Sequence, residues 1–338
     1  QVPIVCASAP SRIDFAGGTI DIFPLYLFED YAVTVNVAIN LRATVRLRTL
    51  GNKRRIVVHS EDLRRQYTFA CSHEAKSDRT FRLIGNIIFN LGVDRGVEFF
   101  INCMAPASAG LGGSTALSMA LCGVLNEIRR NKLDLEQLID IGFHSELQAL
   151  RVPGGKQDYY AATYGGLNAV WFRAEGIRVE SLRPSSSFMR DLRDRLVLCY
   201  AGKSRESAKS NWSMFKNYVD GKKSTVRHMR NIRNIAIQVR QSIIDEDLDA
   251  FGDLLGQEMK NRRGLAAGIT TSEIDRLVRV AKRNGASSAK VCGAGGGGCV
   301  VIFTRGGRRH NVESALRRAG GRVLDFAFED TGIRTWIE

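Results

Sequence analysis

The clearest chemical signal in the chain is Pro106-Ala107-Ser108-Ala109-Gly110-Leu111-Gly112-Gly113-Ser114-Thr115-Ala116. A Pro-opened, glycine-rich loop runs directly into Leu117-Ser118-Met119-Ala120-Leu121, a segment of strong helix formers. The first N–H groups of a helix lack intrahelical partners and the dipole favours negative charge there, so such a loop is suited to an anion. Ser114 and Thr115 are placed to cap the helix or to touch a phosphate-bound metal. A glycine-rich turn ahead of a core helix is the plainer alternative. Two common nucleotide templates fail. No Lys follows Gly112 or Gly113, and Gly221-Lys222-Lys223-Ser224-Thr225 has the wrong spacing for a Walker loop. Gly293-Ala294-Gly295-Gly296-Gly297-Gly298 satisfies G-x-G-x-x-G, but it leads into the strand-like Cys299-Val300-Val301-Ile302-Phe303, whereas a dinucleotide loop opens a helix.

What this loop resembles is the P-x-x-x-G-L-G-S/G-S phosphate loop of the GHMP kinases, the small-molecule kinases that include galactokinase, homoserine kinase, mevalonate kinase and phosphomevalonate kinase. Three blocks carry the resemblance in family order. They are Ala9-Pro10-Ser11-Arg12-Ile13-Asp14-Phe15-Ala16-Gly17-Gly18-Thr19-Ile20-Asp21, the loop above, and Lys290-Val291-Cys292-Gly293-Ala294-Gly295-Gly296-Gly297-Gly298-Cys299. The Gly112-Gly113-Ser114 variant, Gly154–Ala162, 202–207 and 259–265 are most similar to the sugar 1-kinase branch, typified by D-glycero-D-manno-heptose 7-phosphate kinase.

Phosphoryl transfer requires phosphates to be held, charge to be neutralised and an acceptor hydroxyl to be positioned. The resemblance implies a residue for each task. Pro106, Ser108, Gly110, Leu111, Gly112, Gly113, Ser114 and Thr115 would wrap the triphosphate of ATP. Glu146 and the Ser114 hydroxyl would hold Mg²⁺, since oxygen donors suit that ion. Asp158 would be the catalytic base. Read without the family, Glu146 is a solvated helix residue and Asp158 a helix N-cap. Arg12 stands where several members carry Lys and is not equivalent to it, so acting on the transferring phosphate and merely holding Asp158 are both open. Lys156 is the second electrostatic candidate. Sugar contacts would come from Gly17, Gly18, Thr19 and Asp21, although Ile20 stands between Thr19 and Asp21 and Asp21 also suits an Asx-type turn. Arg205, with Lys203, Lys260 and Arg262 or Arg263, would meet a substrate phosphate or form a solvated basic face.

The elements that must position these residues follow from periodicity. Period-two alternation across 31–49 predicts strands, as do 54–60, 66–70, 97–103, 167–172 and 196–199. Apolar spacing predicts helices over 82–90, 116–130, 135–151 (capped by Asp134), 224–244, 248–261, 271–284 and near 312–319. Two strands should flank the late glycine run, with a last strand around 323–328. Arg183-Pro184-Ser185-Ser186-Ser187 reads as a connection, giving domains 1–183 and 188–338. The fold class is α+β. The resemblance implies a two-domain GHMP kinase fold, with a ribosomal protein S5 domain 2-like N-terminal domain, a ferredoxin-like C-terminal domain, and the active site between them.

Composition bounds the partners. The 338 residues are 44% hydrophobic and 25% charged, ordinary for a soluble domain. No apolar run approaches the roughly 18 residues of a membrane helix, and the N-terminus lacks the pattern of a signal peptide. Seven scattered Cys without Cys-x-x-Cys fit reduced thiols in a cytoplasm, and the five His show no zinc spacing. The net charge of +14 suits anionic small substrates better than nucleic acid, because the basic residues are dispersed and no nucleic-acid motif is present. The expected partners are a sugar or sugar phosphate and, at most, a second copy of the chain. The expected function is ATP- and Mg²⁺-dependent transfer of the γ-phosphoryl group to a sugar hydroxyl, the first candidate being the anomeric hydroxyl of a heptose 7-phosphate. Alternatives are an unphosphorylated hexose, a mevalonate-like alcohol, or a non-catalytic nucleotide- or RNA-binding protein of the same fold.

Overall fold

The computed structural model describes residues 3–51, 54–62, 64–202 and 207–338, with only the backbone described for 207–211. The first half runs β1 (Ile4–Ala16), β2 (Ala32–Thr49), β3 (Ile56–Ser60), β4 (Arg65–Phe69), α1 (Ser72–Ser77), α2 (Arg82–Asn90), β5 (Val97–Cys103), α3 (Gly113–Glu127), α4 (Leu135–Leu150), α5 (Gln157–Tyr164), β6 (Leu167–Arg173) and β7 (Gly176–Leu182). The second half runs α6 (Ser186–Arg195), β8 (Leu196–Tyr200), α7 (Ser207–Val219), α8 (Lys223–Ile244), α9 (Leu248–Arg263), α10 (Ser272–Arg283), β9 (Ala286–Val291), β10 (Cys299–Thr304), α11 (Arg309–Arg318), β11 (Arg322–Leu324) and β12 (Arg334–Ile337).

β2 is the spine of the first sheet. One edge pairs antiparallel with β1, while the other edge is shared by β5 at residues 43–49 and β6 at residues 32–37. The order is β12-β1-β2-β5-β3-β4, with β6 and β7 extending from the other half of β2. Both faces of the spine are covered. Val5, Ala7, Ala43, Val45 and Leu47 join the core under α2, α3 and α4, whereas Phe15, Val33, Val35 and Val37 join the core under α8 and α9. The β1–β2 register shifts between Asp14 and Ala16, so the strand is irregular where the chain enters the Gly17–Gly18 loop. The second sheet is antiparallel in the order β11-β8-β10-β9, which with its helices is the ferredoxin-like arrangement.

Several elements were not legible as such. β1 reads as a motif rather than as a strand because its side chains are almost all buried and no alternation survives. α5 is only eight residues long and weakly periodic. The Pro/Ser stretch at 183–187 is the junction between β7 and α6, and Ser185 Oγ caps α6 by accepting from the Phe188 N–H at 3.2 Å. The strand expected at 323–328 is shorter, Arg322–Leu324, and the tail beyond it turns back. The Asn40 N–H donates to the Ala327 carbonyl, and β12 pairs with β1. The last segment of the expected 188–338 unit therefore lies on the first sheet. Among the described residues, no helix is long and apolar enough to cross a membrane.

Candidate active site

Arg12, near the end of β1, reaches across to the first turn of α5. Its Nε and Nη2 donate to Asp158 Oδ1 at 2.8 and 2.6 Å. Its Nη1 donates to the Gly110 carbonyl at 2.6 Å, and its backbone N–H donates to the Leu111 carbonyl at 2.9 Å. Arg12 is 4% exposed, so its guanidinium is committed to the carboxylate and the glycine loop. The other oxygen of Asp158, Oδ2, faces Gly112, where an added Cβ would stand 3.1 Å from it. Gly112 has φ +72° and is the N-cap of α3. A left-handed turn there opens the unpaired N–H groups of α3 beside the carboxylate. Burial pushes the Asp158 carboxyl up from its ordinary value. Arg12 pulls it back without cancelling the rise, and the Asp14 charge adds to it.

Glu146 on α4 projects to the same place. Tyr159 Oη donates to its Oε2 at 2.8 Å. Burial raises its carboxyl, Tyr159 opposes that rise, Asp158 adds to it, and the hydroxyls of Ser114 and Thr115 favour the ionised form. Asp21 lies beside Gly155, just ahead of α5. Its Oδ1 accepts from the Thr19 N–H and its Oδ2 from the Gln157 N–H, both at 3.0 Å, tying the Gly17–Ile22 loop to the start of α5. Burial pushes the Asp21 carboxyl up to about 6 against the pull of the Gln157 N–H.

Arg12, Asp14, Gly18, Asp21, Glu146 and Asp158 line one cleft of about 180 Å³. The third glycine run closes its far side. The Cys299 N–H donates to the Ala109 carbonyl at 2.8 Å, and Gly110, at φ +73°, presses its Cα face onto the Cys292 carbonyl. A larger hollow of about 1060 Å³ between β6, β7 and α6 contains none of these groups except the distant ends of their elements.

Two family models match the chain: "GHMP kinases N terminal domain" over residues 79–166 and "GHMP kinases C terminal" over 239–322, together half of its length. The chain belongs to the GHMP kinases. It is 27% identical over 339 aligned residues to the D-glycero-alpha-D-manno-heptose 7-phosphate kinase of Campylobacter jejuni, covering 97% of each chain. The crystal structure of a D-glycero-D-manno-heptose 1-phosphate kinase from Bacteroides thetaiotaomicron superposes with a TM-score of 0.76 at 23% identity, over 98% of both chains. Lactococcus lactis galactokinase complexed with galactose gives 0.79 at 17% identity, over 98% of this chain and 95% of that one. These structural likenesses show a shared fold.

The GHMP kinase fold brings some of the residues named from sequence into one cleft and places others elsewhere. Arg12, Gly18, Thr19, Asp21, Thr115, Glu146 and Asp158 meet in the cleft. Asp158 is not a helix N-cap, since Lys156 holds that position, and neither Ser114 nor Thr115 caps α3. Both hydroxyl residues fall inside the first turn because α3 starts at Gly113, earlier than its apolar pattern suggests. Ser108, Pro106 and Leu111 lie in the turn before it, with Leu111 buried and Ser108 exposed. Lys156 does not reach Asp158: its Nζ pairs with Asp140 and stands over Phe143 and Tyr160. Of the described members of the second anion cluster, Arg262 borders the cleft. Arg262 is 1% exposed among ion pairs, Arg263 Nη2 pairs with Asp275 Oδ1 at 2.6 Å, Lys260 is exposed, and Lys203 and Arg205 lie outside the described residues. Sequence reasoning missed Asp14, Gln157, Tyr159, Glu258 and Lys290. Asp14 had a signal, because residues i and i+2 of a strand share a face and Arg12 stands two residues before it.

Proposed function

We propose that this GHMP kinase transfers the γ-phosphoryl group of ATP, with Mg²⁺, to the anomeric hydroxyl of a heptose 7-phosphate or closely related sugar. The observation that carries the reading is the Arg12–Asp158 pair set against the glycine loop, with Asp158 Oδ2 left facing Gly112. The substrate class is supported by the end-to-end likeness to the Campylobacter heptose 7-phosphate kinase.

The residues present fit both groups the reaction requires. Gly110 and Gly112, each at positive φ, shape a cradle that backbone N–H groups can line for a triphosphate. Glu146 with the Ser114 and Thr115 hydroxyls is an all-oxygen donor set, the kind Mg²⁺ accepts while keeping waters and phosphate oxygens. When bound, Mg²⁺ would offset negative charge on the phosphates. The chain's own groups supply the rest. Asp21 and the Gly17–Thr19 loop would hold sugar hydroxyls, and Asp158 Oδ2 would orient the acceptor hydroxyl. As the acceptor oxygen bonds to the γ-phosphorus, the bond from that phosphorus to the bridging oxygen breaks, and ADP leaves with the electron pair. The hydroxyl proton passes to Asp158 Oδ2. In this reading Arg12 fixes the base and the loop together and does not itself reach the acceptor. Excess positive charge would raise the local concentration of both anionic substrates.

The test is ADP release with Mg-ATP over heptose 7-phosphate, free hexoses, hexose 6-phosphates and mevalonate. The reading expects the highest kcat/KM on the heptose phosphate. A preference for a free hexose or for mevalonate would keep the kinase and replace the acceptor. No ADP release on any of them would remove the sugar kinase assignment.

A further inference from the structure

Arg262 on α9 is sealed from solvent in a group of four charges with Asp14, Glu258 and Lys290, each 0 or 1% exposed. Lys290 Nζ donates to Asp14 Oδ2 at 2.8 Å and to the Asp14 carbonyl at 2.9 Å. Arg262 Nη2 and Nε donate to Glu258 Oε1 at 2.6 and 3.1 Å. The two pairs are cross-linked at longer range, Arg262 to Asp14 at 3.8 Å and Lys290 to Glu258 at 3.9 Å. Two anions balance two cations, and such a group is weak evidence for stability, since apolar residues of similar size often serve as well.

The donors left over have a purpose that apolar residues could not serve. Arg262 Nη2 also donates to the Gly18 carbonyl at 2.9 Å, and Nη1 donates to the Gly293 carbonyl at 3.4 Å. Gly18 belongs to the loop assigned to the acceptor, and Gly293 opens the glycine run that packs on the phosphate loop at Gly110. One planar cation, held by Glu258, therefore spans the two loops across the two halves of the molecule. We propose that Arg262 is a positioning residue that keeps the acceptor loop in register with the phosphate loop through Gly18 and Gly293. Its guanidinium is an internal strut and not a ligand for the substrate phosphate. Asp14 and Lys290 are its counterweight. The kinetic consequence rests on the kinase reading above, whereas the structural consequence does not.

Arg262→Lys keeps the charge beside Glu258 but loses the fork that reaches both carbonyls. Hydrogen exchange on the ligand-free protein is expected to rise about tenfold in residues 17–22 and 293–298 together, with residues 56–60 unchanged. In turnover, KM for the acceptor should rise about tenfold while KM for ATP stays within about threefold. Unchanged exchange in both loops, or an equal rise across the whole chain, would overturn the proposal. Asp14→Asn/Lys290→Met removes one opposite-charge pair, and with it the 3.8 Å approach of Asp14 to Arg262, but spares the Arg262 bonds to Glu258, Gly18 and Gly293, so both loops should exchange within about threefold of the parent. Loosening of the loops in that double variant would overturn the strut even where Arg262→Lys does not fold. Because exchange needs no substrate, a failure of the kinase reading leaves this result interpretable.

Discussion

Arg12 grips Asp158 by a single oxygen, Oδ1, through both Nε at 2.8 Å and Nη2 at 2.6 Å. No described residue donates to Oδ2, which is turned toward Gly112 of the phosphate loop. The pair thus leaves the carboxylate with one anchored oxygen and one that Arg12 does not bind. Asp158→Asn keeps the volume and removes the basicity, so kcat should fall about 10²- to 10⁴-fold with KM for ATP nearly unchanged. Unaltered sugar phosphorylation by this variant would refute the assignment of the base.

Arg12 also connects Asp158 to the glycine loop by its bond to the Gly110 carbonyl. Arg12→Met leaves Asp158 without its cation and Gly110 without its donor, and should destabilise the fold by about 3–5 kcal/mol as well as abolish turnover. Arg12→Lys restores charge but not the fork, so thermal stability should recover more than kcat does. Equal recovery of both in a melting and rate comparison would argue against a positioning role.

Glu146 is braced by Tyr159 Oη at 2.8 Å. If it holds the metal, Glu146→Gln should weaken the Mg²⁺ requirement curve by about 10- to 100-fold, with metal-free nucleotide binding unaffected. Tyr159→Phe should give a smaller shift in the same direction. A Mg²⁺ titration of turnover in the two variants checks both. No shift in either would place the metal elsewhere.

Titration of Asp158 and Asp21 should be visible in rate and in stability. Because burial raises the Asp158 carboxyl, the acid limb of kcat/KM should lie above that of an unperturbed Asp, with activity lost as pH falls through it. For stability the sign is opposite. Asp21 rises from 3.8 unfolded to about 6 folded, so the native state binds the extra proton. That contribution is present below about 3.8 and is lost as pH rises toward about 6, a change of at most about 3 kcal/mol. Asp21→Asn should flatten the fall in melting temperature across that window. A slope identical to the parent's would contradict the buried, protonating Asp21.

Gly112→Ala puts a side chain on a residue at φ +72° and crowds Asp158 Oδ2 from 3.1 Å. Strain of about 1–3 kcal/mol and the loss of the free oxygen should act together, lowering kcat and ATP affinity in one substitution. Calorimetric ATP binding separates the two effects. Parent-like binding and rate would mean that the loop is not the cradle.

The three glycine-bearing blocks, the α+β class and most helices could be read from sequence because each depends on local composition or 3.6-residue spacing. Asp158, Glu146, Arg12 and Asp21 could be read only through the resemblance, since nothing local brings residues 12 and 158 together. What stayed hidden depends on tertiary burial. Lys156 is the second electrostatic candidate for its nearness to Asp158 in the chain, yet the α5 entry turns its Nζ onto Asp140. Chain neighbours Lys260 and Arg263 group Arg262 with a substrate-phosphate site or a solvated basic face, but α9 buries the face that carries Arg262. The tail was assigned to the second half because chain order cannot show that β12 returns to pair with β1.

The central claim is tested most directly by ³¹P NMR of the product formed from Mg-ATP and heptose 7-phosphate. The account predicts a second phosphorus resonance on the sugar, coupled to the anomeric proton, that appears with the parent protein and not with Asp158→Asn. A product phosphorylated at any other hydroxyl, or an unchanged sugar while ATP is bound, would contradict it.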